Sequence, residues 1–160
     1  FLVGMMGCGK STVGRLLSKK LNYHFLDSDQ IIEEKEQQSV TSIFENKGEA
    51  YFRKLEKQFL LDLNCENTVI ATGGGMVELD QIDQLFSQIG VTIFLKCSAT
   101  LLIKRIGFDK ISRPNFKNED HFKSLLTKRA PLYERADLVI DCDLLTADEV
   151  CHQLLDQLSF

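Results

Sequence analysis

The stretch Gly4-Met5-Met6-Gly7-Cys8-Gly9-Lys10-Ser11-Thr12 constrains this chain more than any other part of it. It matches G-x-x-x-x-G-K-[ST], a loop whose backbone N–H groups cradle phosphate. Glycines let the backbone wrap an anion closely, because no Cβ stands in the way. Lys10 supplies a point charge for the β/γ-phosphates, and the Ser11 hydroxyl is a ligand for Mg²⁺. The flanks suit such a loop. Phe1-Leu2-Val3 is a short apolar run that reads as the end of a buried strand. Val13, Leu16, Leu17 and Leu21 then recur at helical spacing, so the loop opens onto a helix N-terminus with its partial positive charge. A chance glycine-rich turn would not bring strand and helix with it. The chain is expected to bind a nucleoside triphosphate through Gly7, Cys8, Gly9, Lys10, Ser11 and Thr12.

At 160 residues the chain has room for one full core, and residues 1–160 read as a single domain. A net charge of −4 points to neither nucleic acid nor a membrane surface as partner. No apolar run approaches the roughly 18 residues of a membrane span. The five cysteines are an odd number without C-x-x-C pairing, which argues against a disulfide framework or zinc site and fits a reducing cytoplasm. Cys8 has two readings: a thiol whose pKa is lowered among anion-binding N–H groups, or a small residue tolerated in the loop. The chain has no initiator Met and opens almost inside its first strand, so native residues are expected before Phe1.

Tyr23 to Leu26 reads as a second strand, followed by Asp27-Ser28-Asp29. Carboxylates at i and i+2 past a strand end stand where open α/β sheets gather their ligands. One can orient Mg²⁺ water while the other faces a different group; the plainer reading is that Ser28 or Asp29 caps a helix from Gln30 to about Gln38. Thr41 to Lys47 reads as a short helix capped by Thr41 and closed by Gly48. In the longer helix that follows, Arg53 and Glu56 share a face beside the Phe52/Leu55/Phe59 stripe. They form either a surface ion pair or a substrate-facing pair, and spacing alone does not choose. Thr68 to Ala71 is a buried strand running into Thr72-Gly73-Gly74-Gly75, where three glycines allow something to approach the backbone closely.

Gln81–Gln88 and Ala99–Ile106 read as helices around a strand over Val91–Leu95. Residues 107–118 lose periodicity and form a polar, basic loop of lid length, in which Arg113 can swing over the phosphates. A helix from Glu119 is expected to kink or break at Pro131. Asp137 to Ile140 is a fifth strand, and Thr146 caps a last helix. Strands alternating with helices give an α/β fold, a parallel sheet with helices on both faces.

Taken together, GMMGCGKST, FLDSD, FRKLE, ATGGG, SRP and KRAPLYE stand in the order and spacing of the shikimate kinases, and the chain resembles that family nearly end to end. The resemblance implies a P-loop kinase with five strands in the order 2-3-1-4-5 and ATP-dependent phosphorylation of the 3-hydroxyl of shikimate. It implies that helices over about 29–64 bind substrate. Asp29 would contact the ring hydroxyls and orient or deprotonate the attacking one. Arg53 and Arg129 would hold the substrate carboxylate, with Gly74 and Glu56 nearby. Asp27 would join Ser11 on the Mg²⁺ side. Arg113 would be the lid arginine, catalytic with Lys10 and Asp29, and Arg105 would lie over adenine. The family often carries a T-x-x-x-P-like turn after its last strand, whereas Asp141 to Ala147 here contains no proline. The substrate would be a small molecule and the protein a cytoplasmic monomer. A gluconate kinase, whose substrate is also a hydroxylated carboxylate, is the nearest rival. A nucleoside monophosphate kinase and a catalytically silent nucleotide-binding module are more distant ones.

Overall fold

A computed structural model of the chain describes residues 1–107 and 118–158. Five short parallel strands form one sheet: β1 (Leu2–Val3), β2 (His24–Asp27), β3 (Thr68–Ala71), β4 (Ile93–Lys96) and β5 (Leu138–Asp141), in the order β2-β3-β1-β4-β5. Leu2 is in register with both Ala71 and Ile93, so the first strand is the centre of the sheet. This is why Phe1-Leu2-Val3 is apolar on both sides, with Leu2 and Val3 buried. Strands enclosed on both faces carry unbroken apolar runs rather than alternation.

The helices are α1 (Lys10–Leu21), α2 (Ser28–Glu36), α3 (Val40–Lys47), α4 (Glu49–Leu61), α5 (Ile82–Ile89), α6 (Ala99–Ile106), α7 (Glu119–Tyr133) and α8 (Ala147–Gln157). The β1-to-β2 crossover runs one way across the sheet, and the three later crossovers run the other way. Right-handed connections therefore send α1 to one face and α5 to the opposite one. α8 packs against α1. Between β1 and β3 the loops at the carboxyl ends diverge, and that opening is where open α/β sheets bind ligands.

The main core fills the sheet and its covering helices, with Leu17, Leu95, Phe122 and Leu154 essentially inaccessible. A separate small cluster of Ile32, Ile43 and Phe52 holds α2, α3 and α4 together beside it. Its closure is helped by the Glu33 carboxylate, which accepts from Val40 N at 2.7 Å.

Three local expectations need correction. α2 is capped by Asp27, not by Ser28 or Asp29: Asp27 Oδ1 accepts from Asp29 N at 3.1 Å. An Asp at that position is worth about 1 kcal/mol to the helix. α3 starts at Val40 with Ser39 as its cap, where Thr41 was expected. Finally, of the kink or break expected at Pro131 the break does not occur, and α7 continues through it as one helix. The proline has no N–H and so removes one backbone bond; it lies two residues before the helix ends, and Glu134 N still closes onto Ala130 O at 3.0 Å. Thr146 caps α8 as expected, in a reciprocal capping box with Glu149.

Candidate active site

The loop from Gly4 to Gly9 turns directly into α1, whose first residue is Lys10. Gly7 has φ +83, and a Cβ there would stand 2.9 Å from Ile106 Cγ1, so only glycine fits the turn. No side chain caps α1 at Gly9, which leaves the first N–H groups of the helix for an anion. Lys10 Nζ lies across the loop, donating to the carbonyls of Gly4 (2.8 Å) and Met5 (3.2 Å). Ser11 Oγ donates to Asp27 Oδ2 at 2.6 Å, joining the loop to the end of β2. This pair of hard oxygens suits Mg²⁺, which keeps most of its waters and takes one or two protein ligands beside phosphate. Among the described residues no cluster of three or more His, Cys, Asp or Glu forms a metal cage, as such a phosphate-borne cation requires none.

On the other side of the opening stands the glycine triplet. Gly73 N donates to Ser28 Oγ at 2.8 Å, and Thr72 Oγ1 donates to Leu2 O at 2.9 Å, so the triplet is pinned to both neighbouring strands' ends. A Cβ on Gly73 would lie 2.6 Å from Glu56 Oε1 and 2.7 Å from Asp29 Oδ1. Two carboxylates thus converge on a bare backbone position, which explains why glycine is needed there.

Glu56 is fully buried on the inner face of α4 and accepts from Arg53 Nη1 at 2.5 Å. Arg53 Nη2 donates outward to Glu49 at 2.8 Å. Burial pushes the Glu56 carboxyl up to about 7; Arg53 pulls it back, and Asp29 pushes it further up. Glu56 Oε1 is buried with no hydrogen-bond partner among the described residues. Arg53 and Glu56 are therefore a cavity pair, not a surface one.

Arg129 comes from α7, is 2% exposed, and donates from Nε to Glu78 Oε1 at 2.5 Å. Four residues further along the same helix, Tyr133 Oη donates to Gly74 O at 2.5 Å. Burial holds the Tyr133 phenol above its ordinary pKa despite the Arg129 charge beside it.

One cavity of about 380 Å³ gathers Lys10, Ser11, Asp27, Asp29, Arg53 and Glu56, with Gly74 and Arg129 also on its wall. Gly7, Gly9 and Thr12 border both this cavity and a second one of about 230 Å³, which Cys8 and Arg105 line together with Cys142. Arg105 Nη1 reaches the carbonyls of Gly7 and Cys8 at 3.4 Å each. Arg113 lies outside the described residues. Of the two readings of Cys8 the structure favours the small residue tolerated in the loop: the thiol is buried, and burial raises its pKa against the pull of Lys10. Sequence reasoning missed Glu78, Tyr133 Oη and Ser28. Tyr133 stood inside a quoted motif; Glu78 had no signal, since spacing says nothing of a contact 51 residues away.

Comparison with known proteins agrees with this geometry. The family model described as shikimate kinase matches residues 6–159. The shikimate kinase of Sulfurihydrogenibium sp. (strain YO3AOP1) is 38% identical over 161 residues, covering 99% of this chain and 96% of its own. That of Microcystis aeruginosa (strain NIES-843 / IAM M-2473) is 42% identical over 160 residues, covering 97% of this chain and 83% of its own. Among solved structures, a shikimate kinase from Acinetobacter baumannii in complex with shikimate superposes with a TM-score of 0.92 at 35% identity, over 98% of this chain and 89% of that one. A deoxyadenosine kinase from M. mycoides shares the fold alone, with a TM-score of 0.67 at 17% identity. By motif, sheet order and sequence, the chain belongs to the shikimate kinase family.

Proposed function

We infer that this chain transfers the γ-phosphoryl group of ATP to the 3-hydroxyl of shikimate. The observation that carries this reading is a single cavity with a phosphate loop on one wall and two carboxylates with two arginines on the other. Planar guanidinium groups match a small carboxylic acid, and the carboxylates match its hydroxyls.

In this reading Arg53 and Arg129 hold the acceptor's carboxylate, with Gly74 and Glu56 shaping the pocket around it. Asp29 accepts the proton of the attacking hydroxyl as its oxygen bonds to the γ-phosphorus and the bond to the β-phosphate oxygen breaks. Lys10 and the N–H groups of Gly7, Cys8, Gly9, Ser11 and Thr12 receive the phosphates. Ser11 would hold Mg²⁺ directly and Asp27 through water; when bound, the cation neutralises charge on the phosphate oxygens. Arg113 adds positive charge from the lid segment 107–118, and Arg105 borders the adenine. Residues 1–160 work as one kinase unit, with substrate helices over about 29–64 and a lid loop over about 107–118. We place the protein in the cytoplasm as a monomer acting on small molecules without nucleic acid; no helix among the described residues is long and apolar enough to cross a membrane.

The test is ADP release from Mg-ATP with shikimate or gluconate as acceptor. Turnover with shikimate alone is the expected result. Turnover with gluconate alone would keep the phosphate loop and overturn the roles of Asp29, Arg53 and Arg129.

A further inference from the structure

The 3₁₀ turn Met76–Glu78 follows the glycine triplet directly, and its last residue reaches across to α7. Glu78 accepts from Arg129 Nε through one carboxylate oxygen and from Lys128 Nζ through the other. Its side chain is 16% exposed, while that of Lys128 is 67% exposed and that of Arg129 only 2%. The carboxylate therefore bridges a solvent-side ammonium and a buried guanidinium.

A guanidinium has five N–H donors in a rigid fork, and its plane is fixed once one edge is anchored. Here the edge anchored to Glu78 is Nε, and Arg129 also hydrogen-bonds the Tyr133 phenol beside it, so the guanidinium is held in place on the wall of the cavity where it would meet a carboxylate. The same turn of α7 is tied to the glycine triplet a second time, by Tyr133 Oη on Gly74 O. Glu78 and Gly74 thus bind one face of α7 to the loop that approaches the acceptor.

We propose that Glu78 is a positioning residue for acceptor binding: it fixes the Arg129 fork by its Nε edge and holds it at a set distance from the glycine triplet. The proposal rests on the reading that Arg129 holds the acceptor's carboxylate. Partial burial pushes the Glu78 carboxyl up, but Lys128 and Arg129 outweigh it and hold it below its ordinary range, so Glu78 is charged throughout the neutral region. A buried arginine deprived of that charge would turn toward Glu56 or Asp29, the other anions of the cavity, and present the acceptor with the wrong edge.

The experiment is steady-state kinetics of Glu78→Ala, Glu78→Gln, Arg129→Ala and the Glu78→Ala/Arg129→Ala double variant, varying shikimate and ATP separately. Glu78→Ala is expected to raise the KM for shikimate about tenfold, with kcat and the KM for ATP within about twofold of wild type. Glu78→Gln keeps an oxygen that accepts from Nε and should recover much of the loss. In the double variant the shikimate KM should rise no further than in Arg129→Ala alone, because the two residues act as one unit. An unchanged or lowered shikimate KM in Glu78→Ala, with a raised one in Arg129→Ala, overturns the role of Glu78 and leaves that of Arg129 standing. An unchanged shikimate KM in Arg129→Ala overturns the reading of Arg129 itself. A parallel rise of both KM values in Glu78→Ala, with a lowered thermal midpoint, assigns Glu78 to general stability and overturns its positioning role.

Discussion

On the phosphate side of the cavity the chain presents mostly backbone, whereas the acceptor side is made of charged side chains from separate elements. The first is a nine-residue run, Gly4 to Thr12, already complete in the primary structure. In the proposed reading the second draws on Asp29 from α2, Arg53 and Glu56 from α4 and Arg129 from α7, all of which line the cavity, with Glu78 of the 3₁₀ turn paired to Arg129. Backbone N–H groups have no charge state to titrate and no rotamer to lose, so a phosphate loop binds through its fold rather than through a balance of charged partners. Charged pairs in a buried pocket tolerate little, because removing one partner strands the other. The same fold therefore holds a site that is robust on one wall and finely balanced on the other.

The hardest test of that contrast is Asp29→Asn. The amide keeps the shape but accepts no proton, so kcat should fall by about 10²- to 10⁴-fold. ATP binding, measured by titration calorimetry, should stay within about twofold. A matching loss of ATP affinity would move Asp29 to the phosphate side and erase the division.

The balance on the acceptor wall also shows in stability. In the folded state burial first, with Asp29 as a further cause, lifts the Glu56 carboxyl from 4.5 to about 7 against the pull of Arg53. The folded form then holds its proton to higher pH than the unfolded form. Below about pH 4.5 both are protonated and nothing is lost; as pH rises toward 7 folding loses stability, and above 7 the loss is complete. The span amounts to roughly 3 kcal/mol. Denaturant unfolding of wild type and Glu56→Gln across pH 4.5 to 8 should show the extra decline in wild type alone. Equal slopes in the two proteins would mean that Arg53 neutralises Glu56 fully, and the wall would be an ordinary ion pair.

The same division explains what the sequence made legible. The strand positions followed from short apolar runs, because buried parallel strands and a phosphate loop are local signatures, whereas the sheet order came only from the resemblance to the family. The Asp27–Asp29 pair was visible at a strand end, yet the role of Asp27 as the cap of α2 was not, since Asp, Ser and Asp all cap well and only the backbone conformation decides among them. Arg53 and Glu56 were visibly neighbours on one helix, but which way that helix faced depended on the packing of Phe52 against Ile32 and Ile43. Pro131 looked like a break because its lost hydrogen bond was weighed without knowing that the helix ended two residues on. Glu78 was silent altogether. Its partner is fixed by how a turn after β3 meets α7, and no period in the chain records that meeting.

The smallest effect is expected where a side chain does touch the phosphate side. Arg105 is exposed at the end of α6 and reaches the loop only through contacts of 3.4 Å to the Gly7 and Cys8 carbonyls. Long, solvent-open contacts of this kind contribute little, and stacking against a base adds a modest cation–π term. Arg105→Ala should accordingly raise the KM for ATP about two- to fivefold and leave the KM for shikimate unchanged. Initial rates at varied ATP and saturating shikimate measure it directly. A rise beyond about twentyfold would mean that a side chain, not the loop backbone, carries nucleotide affinity on this wall. The robustness assigned to the phosphate side would then belong to its triphosphate contacts alone, with the adenine end as finely balanced as the acceptor pocket.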